Sequence, residues 1–204
     1  GDAWTTSWRA LALRTAVWAG LDAPGLKLGI ARLVSGLKTL EDPARILYRG
    51  DRPAARDIER VAAVALALQW LGEGRSPEAR AALAALARVR LDDPAQAPSD
   101  FALHLITQVR FNEGGEPWNR SLNALANALL AGRTADGGWR ADREAYGGRV
   151  RATALAALSL TVCYRFPPAA EWPALAAADA RPRLRAPAAR SARPPILLAA
   201  VVPR

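Results

Sequence analysis

The chain has 204 residues, 51% of them hydrophobic and 23% charged, and a net charge of +9. Length and composition fit one domain or a short repeat array and exclude intrinsic disorder for the bulk of the chain. A single cysteine and a single histidine exclude an internal disulfide, a cysteine-pair zinc centre and any metal site that needs two histidines.

The first element is a helix from Trp8 to Ala19, with Trp8, Leu11, Ala12, Thr15, Ala16 and Ala19 at helical spacing. Gly20 stops it, and Asp22-Ala-Pro24-Gly25 forms a turn. The pattern returns from Lys27 to Leu40 through Ile30, Leu33, Val34 and Leu37, until Glu41-Asp-Pro43 breaks it and a loop follows to Pro53. A third helix runs from Ala55 to Leu71 and ends at Gly72. Ser76-Pro77, an N-cap residue followed by proline at the first helical position, opens a fourth that reaches Leu91. Ser99 or Asp100 caps a fifth to Phe111. A sixth runs from Pro117 or Trp118 to Ala131, and a glycine-rich loop, Thr134 to Gly148, leads into a seventh from Arg149 to Arg165. No stretch alternates as a strand would.

These helices pair. Gly20, Gly72 and Gly114 end the odd-numbered ones at intervals of about 52 and 42 residues, the period of a two-helix repeat array. The odd helices are alanine-rich and apolar nearly all round, as in Val61–Leu68 and Ala152–Leu158, which predicts burial on most sides. The even helices have one charged edge, as in Glu78–Ala87. The expected architecture is all-α, an inner apolar layer inside an outer amphipathic one, either a curved barrel or a solenoid. Residues 1–166 form the repeat domain in this reading. Residues 167–204 are a low-complexity basic tail expected to be disordered, because eight of the 15 prolines fall there. That tail holds six arginines against Glu171 and Asp179, so it carries +4 of the net charge and the body +5.

Three segments resemble a known family: Trp118-Asn-Arg-Ser-Leu-Asn-Ala-Leu125, Ala135-Asp-Gly-Gly-Trp139, and Tyr146-Gly-Gly-Arg-Val-Arg-Ala-Thr-Ala-Leu155 with Thr161-Val-Cys-Tyr-Arg-Phe166. In order and spacing they are similar to the prenyltransferase and squalene oxidase repeat proteins, bacterial relatives of terpenoid cyclases of unassigned activity. Trp8 to Pro24 and Gly114–Trp118 extend the likeness, which covers about residues 4 to 168. The resemblance implies an α/α toroid. The helices here make about three and a half hairpins, so the toroid is expected to be incomplete. Within the motif, Asp136 is expected to hydrogen-bond the turn, Gly137 and Gly138 to permit positive φ and close approach, and Trp139 to plug the gap between two hairpins. The chain departs from the family pattern where Gly132-Arg-Thr replaces the repeat glutamine. It departs again where the helix Asp100–Thr107 is aliphatic rather than aromatic.

Catalytic signals are sparse. Cyclases of this kind protonate their substrate with an Asp-x-Asp-Asp acid. The one adjacent pair here is Asp92-Asp93, before Pro94 at a helix end, so both are weak acid candidates beside a plain loop reading. The zinc of a protein prenyltransferase would fall to Cys163 and His104, lone residues better read as a buried thiol and a core histidine; no metal or other cofactor is expected. Trp8, Trp18 and Trp70, with Trp4, either pack in the core or line a cavity and face a carbocation. The resulting expectation is a non-catalytic binding or scaffolding toroid module. The alternatives are a diverged isoprenoid cyclase or prenyltransferase, and a polyanion-binding module acting through the arginine tail. Expected partners are an apolar ligand or another chain completing the toroid; the body lacks the dense basic face of a specific nucleic-acid binder. No apolar run reaches the ~18 residues of a membrane span. No secretory signal stands at the start, and the absence of methionine reads as a processed or partial chain.

Overall fold

The computed structural model describes residues 3–39, 42–47, 54–91, 98–140 and 147–162, with side chains from residue 5 onward. Eight helices are present among them: α1 Ala3–Trp18, α2 Leu26–Lys38, α3 Pro43–Leu47, α4 Ala55–Trp70, α5 Pro77–Ala87, α6 Asp100–Glu113, α7 Gly115–Ala131 and α8 Gly148–Leu160. There is no strand among the described residues, only an isolated antiparallel bridge between Arg133 and Trp139.

The stop signals act through backbone geometry. At Gly20 (φ 74°) and Gly72 (φ 82°) the chain enters the left-handed region. Each glycine closes its helix with a paired set of bonds: Gly20 N–H to Val17 O and Leu21 N–H to Ala16 O, then Gly72 N–H to Gln69 O and Glu73 N–H to Leu68 O. Ser76 caps α5 by accepting from Ala79 N–H at 3.2 Å, and Ser99 caps α6 by accepting from Ala102 N–H at 3.1 Å. Several boundaries differ from the sequence reading: α1 begins at Ala3 rather than Trp8, and α7 at Gly115 rather than Pro117 or Trp118. Pro43, read as a breaker, instead occupies the first position of the short α3, where its missing N–H costs nothing and Asp42 Oδ1 accepts from Ala44 N–H. Helix α5 ends at Ala87 rather than Leu91, tightened by bonds from Arg88 N–H to Ala85 O and Val89 N–H to Leu86 O.

The helices form a row with flanks. Helix α1 packs on α4, α4 on α6 and α6 on α8, while α2, α3, α5 and α7 pack against this row. Alanine is not confined to the row: α4 buries Ala62, Ala63, Ala65 and Ala67, whose small side chains bring neighbouring helices close, whereas α6 has a single alanine and packs through Phe101, Leu105, Ile106 and Val109. One core lies around α4, α6 and α7, with Phe111 edge-on to Trp118 at 5.6 Å. A smaller one joins α1, α2, α4 and α5 through Ala10, Ile30, Leu37 and Leu68.

Helix α8 corrects the expectation of burial on most sides. Only Ala152, Ala156 and Ser159 are buried, while Val150 is 82% exposed and Leu158 is also exposed. Among the described residues α8 is the last helix of the row, and α6 packs against one side of it.

Candidate functional site

The Asp-Gly-Gly-Trp motif folds as a tight turn between α7 and α8. Thr134 N–H bonds Gly138 O and Arg140 N–H bonds Gly132 O, each at 2.8 Å. Asp136 accepts from Thr134 Oγ1 at 2.6 Å and pairs with the Arg149 guanidinium. That arginine, with the threonine hydroxyl behind it, holds the Asp136 carboxyl well below the ordinary carboxylate range. Gly137 has φ 87°, where a side chain is strained. At Gly138 a Cβ would meet Arg149 Nη2 at 2.6 Å, so the guanidinium lies where a larger residue would stand. Trp139 is half-buried; its indole N–H donates to Leu129 O at 2.7 Å and its backbone N–H donates to Thr153 Oγ1 at 3.1 Å. The indole thereby ties the end of α7 to the start of α8.

His104 lies buried between α6 and α8 beside Ser159, a pairing that resembles a base and nucleophile. The bonds around the pair are those of packing. The Ser159 hydroxyl donates to Leu155 O at 2.7 Å, so toward His104 Nδ1, 3.0 Å away, it must accept. The Gln108 side-chain amide lies 2.7 Å from Nε2, so both ring nitrogens are engaged where α6 packs against α8.

Similar polar bonds cross the other two contacts of the row. Ser7 Oγ donates to Ala63 O at 2.9 Å between α1 and α4. Between α4 and α6, Gln69 Nε2 donates to Val109 O at 3.1 Å and receives Asn112 Nδ2 on its Oε1 at 3.2 Å.

A groove of about 1520 Å³ lies between the C-terminal end of α5 and one face of α7. Its floor is apolar, built from Leu103 and Ile106 of α6 with Ala152 and Ala156 of α8. The α7 wall is polar, with Arg120, Asn123 and Asn127, and Trp139 with Arg140 stand at one end. Among the described residues four arginines line the groove, Arg90, Arg110, Arg120 and Arg140, against one acidic residue, Asp100. Arg110 is bound to Glu113, Arg120 reaches Glu116 only at 3.6 Å with both side chains about 70% exposed, and Arg140 makes no ion pair among the described residues. Asp100 opens α6 with both carboxylate oxygens shielded from solvent and no hydrogen bond to either; Arg151 Nη2 is 3.5 Å away. A second, apolar cleft of about 260 Å³ lies between α3, α4 and α5, lined by Ile46, Val61 and Val64.

The structure separates the aromatic candidates. Trp70 is buried at the end of α4, in the main core. Trp8 and Trp18 are 49% and 37% exposed on α1, and Trp18 stacks under the Arg14 guanidinium at 5.0 Å. Burial of that arginine lowers its pKa to about 10. None of Trp8, Trp18 and Trp70 lines the groove, whose aromatic wall among the described residues is Trp139 alone. Asp92, Asp93, Cys163, the side chain of Trp4 and the tail 167–204 lie outside the described residues. Among the described residues no three His, Cys, Asp or Glu side chains converge as metal ligands, and no helix is long and apolar enough to cross a membrane.

Sequence reasoning missed Asp100 as a carboxylate facing a cavity, and missed the asparagines of α7. The signal for the latter was present: Asn123 and Asn127 stand four apart on a helix whose opposite face carries Leu122, Leu125 and Leu129. No protein-family model, curated protein or solved structure matches this chain.

Proposed function

We propose that the chain is a non-catalytic binding or scaffolding module of the α/α-toroid repeat kind, and that its ligand lies in the groove between α5 and α7. The observation that carries this reading is the groove itself, which joins an apolar floor to polar walls and, among the described residues, contains one aromatic residue, Trp139. A carbocation cascade needs several π faces around an enclosed volume, and that lining does not supply them. The row of paired helices, with glycine stops and an indole between the last two row-and-flank units, supports the toroid reading of the fold.

The test is occupancy of the groove. The apolar anionic dye anilinonaphthalene sulfonate is expected to bind the folded chain. Binding is expected to be lost on Ala124→Trp or Ala128→Trp, which project a ring into the groove, with the far-UV circular dichroism unchanged. Equal dye binding by these variants overturns the reading.

One observation favours the isoprenoid-cyclase alternative: Asp100 presents a shielded carboxylate, without a hydrogen bond, on the groove lining. Incubation with squalene or prenyl diphosphates separates the two. No turnover is expected; turnover abolished by Asp92→Asn, Asp93→Asn or Asp100→Asn establishes the enzyme instead.

A further inference from the structure

The groove also carries information about the chemistry of its ligand, given the reading above that it is a binding site. Its volume of about 1520 Å³ exceeds the roughly 300–1,000 Å³ of small-molecule pockets. Residues lining it on α7 run from Pro117 to Ala131, which at 1.5 Å per residue is about 21 Å, the length of roughly six residues of extended chain.

Two primary amides stand on that wall. Asn123 and Asn127 are exposed and make no side-chain hydrogen bond within the described residues. Each offers a donor and an acceptor, the complement of a peptide group. One helical turn apart, their side chains are separated by about 6 Å, close to the roughly 6.7 Å between alternate residues of an extended chain. Alternate side chains of such a chain point the same way. One set would enter the apolar floor at Leu103, Ile106 and Ala156, and the other would face the rim.

The rim is basic. Among the described residues Arg140 has no ion-pair partner, and Arg120 has only a long, solvent-screened one. An incoming carboxylate can take either guanidinium without displacing a buried pair. Aliphatic side chains suit a floor with no aromatic platform, which weighs against stacked bases or sugar rings.

We propose that the groove binds an extended acidic peptide segment of about six residues, in which aliphatic side chains alternate with Asp or Glu. Asn123 and Asn127 bond its backbone, and Arg120 and Arg140 hold its carboxylates.

Fluorescence anisotropy with the full chain and a labelled hexapeptide of alternating glutamate and leucine tests this. Saturable binding is expected, weakening as salt is raised. The double variant Arg120→Glu/Arg140→Glu and the double variant Asn123→Ala/Asn127→Ala are each expected to lose about tenfold or more. The asparagine variant should also stop discriminating the peptide from its backbone N-methylated form, a change that charge alone does not produce. Both substitutions fall on exposed positions, and circular dichroism verifies the fold. Undiminished peptide binding in both variants places it outside the groove and overturns the proposal. So does tighter binding of an oligothymidylate or of heparin that Arg120→Glu/Arg140→Glu abolishes. Dye binding that Ala124→Trp abolishes, in a chain that does not bind the peptide, overturns the peptide assignment alone and leaves the groove as a site.

Discussion

At the scale of single residues, Trp139 and Asp136 do different work in one turn. Trp139→Ala removes a half-buried indole and its bond to Leu129 O. The expected cost is about 2–3 kcal/mol, less than a fully buried tryptophan because part of the ring already meets water. Trp139→Phe keeps most of the area and loses the bond, for a cost of about 1 kcal/mol. Urea unfolding followed by circular dichroism measures both. The Asp136 carboxyl is depressed by Arg149 first and Thr134 second. The unfolded chain takes up this proton near the ordinary aspartate value of about 3.9, while the folded chain stays ionised to lower pH. Between those points the unfolded state binds more protons. The contribution of Asp136 is therefore complete above about pH 5 and is lost as pH falls through the folded value. Asp136→Asn should be less stable than the parent at pH 7 and should converge with it in acid, and unfolding midpoints measured from pH 7 to pH 2 follow the convergence. Added salt should shrink the difference, since both charges are more than half exposed.

At the scale of elements, most of the helix pattern was legible because it rests on local chemistry. Glycine stops at 20 and 72 and serine caps at 76 and 99 need no tertiary partner to act. What the sequence could not give was pairing across helices. Gln69 and Asn112 look like unremarkable polar residues at the ends of apolar runs, yet they meet between α4 and α6. Periodicity marks which face is buried and carries no information on which polar atom faces which. The groove was hidden for the same reason: its floor comes from α6 and α8 and its wall from α7, and only their packing creates it. The polar bond between α4 and α6 gives a direct test. Gln69→Leu leaves the Asn112 amide buried without its acceptor and should cost about 1–3 kcal/mol. Gln69→Leu/Asn112→Leu should cost less than the sum of the single changes, because the second removes the orphan left by the first. A double-mutant cycle by urea denaturation reads that coupling, and strict additivity argues against it.

For the whole molecule, stability follows place in the row. Helices α4 and α6 each bury eleven residues, whereas α1 buries Ser7, Ala10 and Arg14, and α8 buries Ala152, Ala156 and Ser159. In an array where each unit touches only its neighbours, the ends have half the interfaces of the middle. Native-state hydrogen exchange should therefore show amides of α4 and α6 exchanging only through the largest opening, with α1 and α8 exchanging through smaller ones. Uniform protection across all four would mean that the row unfolds as one unit.

The hydroxyl of Ser7 and the amide of Gln69 both end on main-chain oxygens of the next helix, those of Ala63 and Val109. Ala63 stands among the small side chains Ala62 and Ala65, whereas Val109 stands among Leu105, Ile106 and Phe111, whose bulk already limits how α4 and α6 can slide. To that packing each bond adds one directed contact between neighbouring rods. The acceptor's own side chain takes no part, so at the buried positions 63 and 109 another apolar residue of similar bulk can stand while the bond persists. Divergence at such positions can thus change the interior lettering and keep the ties between rods.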